Sequence, residues 1–312
     1  MTQIVAKRVL ADVLGEDARV EGAPHQGWTN RVFFGRLPSG EFVVRLNPRW
    51  VEYVAEFERE RRCMEAAAAL GVPGPRVVAV GVIDGFAYMV TERIAGRHAD
   101  ESDLEREVIW RTLGEYAARI RTIPVCGAGK EFRLAEAPGP VPTWRAWATR
   151  RRVGFEGATR LVEQGVLSHG EHALICRAAE RIEAWDFDAE LCHGDMGFDN
   201  AIVDDAGTIH VLDWGEASAH RAPLYDLAQI TLWADADAAR AYVEGFGWSW
   251  NRFLAHVSDV RDCQLTLETS AVIDHHPPDA IEPSVTGGKA IAKLREMLDG
   301  RDPFAHVLGG SR

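Results

Sequence analysis

The segment Leu191–Ala228, LCHGDMGFDNAIVDDAGTIHVLDWGEASAHRAPLYDLA, concentrates the residues that could do chemistry. Its HGDxxxxN run holds a carboxylate, Asp195, and an amide, Asn200, and an apolar stretch then leads to a second carboxylate, Asp213. A phosphoryl-transfer site needs such a set. Asp195 can take the proton of an attacking hydroxyl, while Asn200 and Asp213 offer oxygen ligands to a magnesium ion that bridges nucleotide phosphates. Taken singly, His193, Asp199 and Asp213 read as polar turn residues at strand ends. The combination of HGDxxxxN, an intervening hairpin, Asp-Trp and a later Asp-Leu-Ala is what points to this chemistry.

The elements that must position these groups are legible around them. Ala201–Val203 and Ile209–Leu212 are short apolar runs separated by Asp204-Asp205-Ala206-Gly207, a turn signal, so two short strands should return Asp213 to the side of Asn200. Asp195 lies on the loop that leads in.

These residues resemble the aminoglycoside phosphotransferase and choline kinase superfamily, small-molecule kinases with a protein-kinase-like fold. The resemblance implies that Asp195 is the catalytic base, that Asn200 and Asp213 bind Mg2+, and that His193 and Asp226 brace the catalytic loop. One departure stands between Asp213 and Asp226. The family carries a Gly-Asp-Pro turn there, whereas this chain reads Ala219-His220-Arg221-Ala222-Pro223, one residue longer. The implied fold is α+β and bilobal: residues 1–94 form a nucleotide-binding lobe with a small antiparallel sheet and one main helix, and residues 95–312 form a mostly helical lobe with the catalytic loop, metal site and acceptor site.

The first lobe can be assembled from pattern. Thr2–Leu14 reads as an amphipathic helix; Arg31–Leu37 and Glu41–Leu46 read as a hairpin around Pro38-Ser39-Gly40. Before it, His25-Gln26-Gly27-Trp28-Thr29-Asn30 occupies the place of the family's phosphate-covering loop, which makes Gly27, Thr29 and Asn30 nucleotide-binding candidates. On the second strand Arg45 stands where the fold normally places a phosphate-contacting Lys. Arginine can grip two oxygens at once, and some relatives, hygromycin phosphotransferases among them, carry it there. Val51–Leu70 reads as a helix stopped by Gly71-Val72-Pro73-Gly74-Pro75. Of its acids, Glu60 aligns with the family's helix Glu that pairs the strand cation, with Glu56 and Glu58 as the other choices. Val77–Val82 and Phe86–Val90 form another strand pair around Asp84-Gly85, and they lead to a hinge whose backbone near Glu92 and Ile94 would meet adenine.

The second lobe reads as helices over Asp103–Ile123, Gly165–Trp185 and Leu224–Phe246, with a further helix opened by Thr143. Trp144 and Trp147 share one face, as packing residues do, and Arg150-Arg151-Arg152 read as solvated surface. The five cysteines are scattered without a CxxC pair, so neither a disulfide framework nor a zinc site is implied. No stretch has membrane-spanning length or a signal-peptide core, and no basic stripe with interleaved aromatics argues for nucleic acid. The expectation is a cytoplasmic protein with no obligate protein partner.

Net charge is −12. Such a field would draw a cationic acceptor toward an acidic cleft, and it also serves solubility. Acceptor-side candidates are Asp235, Asp259, Asp262 and Glu268, with Asp237 and Asp274 beside them; helical spacing puts Asp259 and Asp262 on one face, either a pocket wall or a solvated surface. The resulting expectation is Mg2+-dependent transfer of the γ-phosphoryl group of ATP or GTP to a hydroxyl of a small cationic molecule, an aminoglycoside-like antibiotic. The alternative is a metabolite kinase for choline, a sugar or an amino alcohol. A protein kinase is disfavoured, because His193-Gly194-Asp195 and Asp213-Trp214-Gly215 replace HRD and DFG.

Overall fold

The structure is a computed structural model and describes residues 2–15, 17–23, 30–48, 50–135, 139–231, 234–275 and 285–298. The chain divides into two compact units, Met1–Leu104 with Gly197–Ala217, and Glu105–Met196 with Ser218–Arg312.

The first unit is built on a five-stranded antiparallel sheet in the order β1-β2-β3-β5-β4, from β1 (Arg19–Gly22), β2 (Arg31–Leu37), β3 (Gly40–Asn47), β4 (Val77–Ile83) and β5 (Phe86–Glu92). Strand alternation sends residues to opposite faces. Phe42, Val44 and Leu46 of β3, with Tyr88 and Val90 of β5, pack against Val5, Ala6, Val9 and Leu10 of helix α1 (Thr2–Leu14). Ala87 and Met89 take the other face, where they meet Phe57 of helix α2 (Val54–Ala69). Arg45 lies opposite Met89 in the β3–β5 register and therefore also faces α2. The Asp84-Gly85 turn between β4 and β5 has positive φ at both residues, 51° and 81°, the left-handed pair that a two-residue hairpin requires. Strand β1 was not read from the sequence: Arg19–Gly22 is four residues long and mostly exposed, so it has no alternating apolar pattern to find.

The same unit holds the second hairpin, Ala201–Val203 against Ile209–Val211, with Ala201 opposite Val211. The Val211 amide donates to Pro73 O at 2.9 Å, and Arg97–His98 pairs with the hairpin's other edge. A Cβ at Gly96 would stand 2.4 Å from Val203 O, so that approach needs glycine. The hairpin is thus held against the sheet-bearing segment of the chain that precedes it by more than a hundred residues.

The second unit is helical: α3 (Arg106–Ile120), α4 (Trp144–Glu156), α5 (Arg160–Glu163), α6 (His169–Glu183), α7 (Leu224–Ile230), α8 (Ala236–Gly245), α9 (Trp250–Leu254), α10 (Val257–His275) and α11 (Val285–Leu298). Helices α4, α6, α10 and α11 share a core that includes Phe155, Ile175, Leu265, Val272 and Leu294. The single helix expected over Leu224–Phe246 is two helices. Asp235 ends the continuity, because its side chain accepts the Ala238 amide and starts α8 as an N-cap, an arrangement that requires extended backbone at the cap. The helices expected over Asp103–Ile123 and Gly165–Trp185 are shorter than their apolar patterns. For α6 the reason is a capping box: Ser168 Oγ accepts the Glu171 amide, and the Glu171 carboxylate accepts the Ser168 amide.

Candidate active site

Two groups of predicted residues are assembled, one in each unit. In the first, Arg45 points from β3 toward α2 and meets Glu60, whose side chain is fully buried, through Nη1 at 2.6 Å. Its second arm, Nη2, reaches Asp213 Oδ1 at 3.2 Å. Glu60 occupies the inward stripe of α2 with Phe57, Met64 and Ala67, whereas Glu56 pairs with Arg59 and Glu58 with Arg61. Helix phase is therefore the physical reason that Glu60 rather than its neighbours faces the strand. Burial opposes charge on Arg45, but Glu60 and Asp213 outweigh it and hold the guanidinium firmly protonated. Burial and the nearby Asp213 push the Glu60 carboxyl above its ordinary value, with Arg45 pulling against them.

Asp213 sits at φ 53°, a left-handed conformation that an aspartate adopts at some cost in strain. Next to it Trp214 is buried, which fixes the turn, while the Asp213 side chain is 52% exposed. Its Oδ1 accepts from Arg45 and, at 3.4 Å, from the Gly215 amide; Oδ2 has no partner among the described residues. Asn200 lies across the hairpin mouth, where its carbonyl accepts the Leu212 amide at 2.8 Å. Asn200 and Asp213 consequently share the open end of one hairpin, and both carry the hard oxygen donors that suit Mg2+. A contact absent from the sequence reading also holds this loop: Arg59 Nη2 donates to Gly215 O at 3.4 Å. Arg59 showed no signal, since an arginine on a charged helix reads as solvated.

The remaining nucleotide candidates are placed less uniformly. Gly27 and Thr29 lie outside the described residues. Asn30 is buried, and its side-chain oxygen accepts from Asn47 Nδ2 at 3.2 Å, a bond that ties the start of β2 to the end of β3. The Glu92 amide donates to Arg76 O and its carboxylate pairs with Arg76, whereas the backbone of Ile94 makes no hydrogen bond among the described residues.

In the second unit, strand Glu190–Cys192 pairs with Ser218–His220 and delivers the chain into His193-Gly194-Asp195. Gly194 takes φ 82°, which reverses the chain there. Its amide donates to Asp226 Oδ1 at 2.7 Å. Buried His193 accepts the Asp195 amide on Nδ1 at 3.3 Å, and the Asp195 side chain is exposed. Burial raises Asp226 to about 7, against the amides of Gly194 and His193 and the buried Tyr242 phenol, which pull it down. The longer turn before Asp226 thus leaves it bonded to the loop. Tyr242 was not singled out in the sequence, and its contribution depends on α8 packing against α3.

Three of the acceptor candidates are otherwise engaged. Asp235 caps α8. Asp259 accepts from Arg221 and His256, and Asp262 takes Nε and Nη2 of Arg181, each at 2.7 Å; burial pushes the Glu268 carboxyl above its ordinary value, with Lys293 pulling against it. Trp248 packs against Phe246, and Trp250 against Phe253.

Residues 22–256 match the sequence model of the phosphotransferase enzyme family. The chain belongs to the phosphotransferase enzyme family. As a member of that family it is a small-molecule phosphotransferase. The aminoglycoside 3'-phosphotransferase of Streptomyces fradiae is 27% identical over 235 residues, 72% of this chain and 83% of that relative. Among solved structures, aminoglycoside phosphotransferase APH(4)-Ia in complex with ADP and hygromycin B superposes with a TM-score of 0.70 at 18% identity, over 95% of this chain and 98% of that one. A protein described as a fructosamine-3-kinase from Thermobifida fusca gives 0.64 at 16% identity, over 94% and 98%. These likenesses show that the family member has the kinase-like α+β fold. No helix among the described residues is long and apolar enough to cross a membrane.

Proposed function

We propose that this phosphotransferase moves the γ-phosphoryl group of ATP or GTP, with Mg2+, to a hydroxyl of a small molecule. The observation that carries this reading is the Glu60–Arg45–Asp213 chain. It aims a permanently charged fork toward the metal-ligand candidate at the mouth of the Asn200–Asp213 hairpin. Arg45 holds phosphate oxygens, Glu60 fixes the direction of Arg45, and Asn200 and Asp213 are the residues that would hold the ion. The ion, when bound, offsets phosphate charge. Ile94 supplies backbone groups for the base, and Asp195 orients the acceptor hydroxyl. As the new oxygen–phosphorus bond forms, the bond from the γ-phosphorus to the leaving nucleotide breaks, the hydroxyl proton passes to Asp195, and the nucleoside diphosphate leaves. Positioning and charge neutralisation supply most of the rate.

For the acceptor, the likeness to aminoglycoside phosphotransferases supports an aminoglycoside, and the fructosamine kinase likeness keeps a metabolite alcohol beside it. One observation supports the second: three of the carboxylates expected to receive a cation, Asp235, Asp259 and Asp262, are occupied by helix capping and ion pairs. The deciding assay is Mg2+-dependent nucleotide turnover against aminoglycosides, choline, sugars and hydroxy acids. Asp195→Asn should abolish turnover and retain nucleotide binding; retained turnover would remove Asp195 from the chemistry.

A further inference from the structure

A cleft in the helical unit lies between α4, α6, α10 and the start of α7, and Trp147, Arg151, Phe155, His220, Tyr225 and Thr266 are among its lining residues. It adjoins the catalytic loop through two of its lining residues. His220 is on the strand paired with Glu190–Cys192, and Tyr225 precedes Asp226, which bonds Gly194. The cleft opens toward solvent and has an inner space of about 40 Å³. That space admits one small group and so reads the end of a ligand, not a polycyclic whole.

The charge of this cleft runs against that of the protein. Arg151 is the one ionised side chain among the described residues that line it. Instead of lying in solvent, as its basic run suggested, the guanidinium bonds Ser270 Oγ and stacks over Trp147 at 5.8 Å and Phe155 at 5.2 Å. No carboxylate pairs with it among the described residues; Asp274 and the Tyr225 phenol act on it from a distance, and burial lowers its affinity for the proton. Its neighbours in the run differ, since Arg150 pairs with Glu131 and Arg152 with Glu183 and Glu156.

Nearby His220 is buried with its ring against Tyr225 and accepts the Arg221 amide on Nδ1. Burial, Arg151 and Arg221 depress it to about 3, so it stays neutral. Arg221 is itself balanced by Asp259.

Aromatic walls can also cage an organic cation. Here that place is taken, because Arg151 already covers the faces of Trp147 and Phe155 and would repel a second cation. A half-buried guanidinium without a carboxylate is a receptor for one, and the rings beside it accept an apolar frame.

We propose that this cleft is the subsite for one end of the phosphoryl acceptor, a carboxylate carried on a ring or short apolar frame, with Arg151 as its specificity-determining residue. The proposal rests on the phosphotransferase reading for its link to the acceptor, while binding itself can be measured without turnover. The test is calorimetric titration of the full chain with benzoate, benzamide and benzylamine, for wild type, Arg151→Gln and Arg150→Gln. Saturable benzoate binding at least tenfold tighter than that of the neutral and cationic analogues, lost in Arg151→Gln and kept in Arg150→Gln, is the expected result. Nucleotide binding by Arg151→Gln, measured in parallel, shows that this variant is folded; if it is lost, Arg151→Lys replaces it and should bind benzoate more weakly than wild type. Equal binding of the three probes, preference for benzylamine, or no benzoate binding overturns the proposal. In turnover assays, Arg151→Gln should raise the KM of a hydroxylated ring carboxylate and leave that of the nucleotide unchanged. Benzoate binding without turnover of any acceptor would overturn the phosphotransferase reading and the link to the acceptor, leaving a carboxylate pocket alone.

Discussion

The Gly194 amide lies 2.7 Å from Oδ1 of Asp226, a residue 32 positions further along the chain. This bond is buried, and it fixes the left-handed turn that presents Asp195 to solvent. The brace is a titratable group, so its effect on stability depends on pH.

Asp226 binds its proton more tightly in the fold than the ordinary value of 3.8 allows, being raised to about 7 by burial. Its contribution to stability is complete below about 3.8 and is lost as pH rises through about 7. Asp226→Asn keeps an oxygen acceptor for Gly194 and removes the titration. The stability of the wild type relative to this variant should therefore decline between about pH 4 and pH 8, with a slope of at most roughly 1.4 kcal/mol for each tenfold fall in proton concentration. Thermal unfolding across that range checks it; parallel profiles would mean that Asp226 does not titrate there.

Glu60→Ala should unfold more readily by about 3 kcal/mol, the effect of leaving one partner of a buried ion pair alone. Arg45 would then have Asp213 as its acid, and nucleotide affinity should fall at least tenfold. Denaturant melts and nucleotide titration give the two numbers, and an unchanged affinity would show that the pair is purely structural.

Helices α3 and α8 touch through glycine. A Cβ at Gly245 would lie 2.0 Å from Arg111 O, and one at Gly114 would lie 2.1 Å from Tyr242 O. Both obstacles are backbone atoms, which cannot rotate away. Gly245→Ala should cost about 1–3 kcal/mol and lower Tm. Because α8 carries Tyr242 toward Asp226, kcat should fall as well; an unshifted Tm would mean that the helices separate freely.

Asp235→Ala removes the N-cap of α8, for about 1 kcal/mol of stability. If capping is its work, kcat and the acceptor KM stay at wild-type values. A rise in acceptor KM alone would return Asp235 to the acceptor site.

Much of this was written locally in the chain. The turns at Asp84-Gly85 and Asp204–Gly207, the alternation of β3 and β5, and the return of Asn200 and Asp213 to one hairpin end all follow from residue types within a few positions of one another. Strand period and left-handed turn preferences are short-range properties, which is why they survive in a bare sequence. The family resemblance reached the same segment because HGDxxxxN and the following hairpin are contiguous.

Partner choice was decided by tertiary structure. Arg45 and Asp213 meet across 168 residues, and Asp262 meets Arg181 across 81. Nothing in the spelling of Asp259 or Asp262 distinguishes an acid that waits for a substrate from one already paired. Arg151 shows the reverse: it sits in a run of three arginines, yet packing carries it over two aromatic rings while Arg150 and Arg152 pair with carboxylates. The physical reason is that desolvation and ion pairing depend on which distant surfaces are brought together, and a charge reads the same in sequence whether water or a buried ring lies beside it.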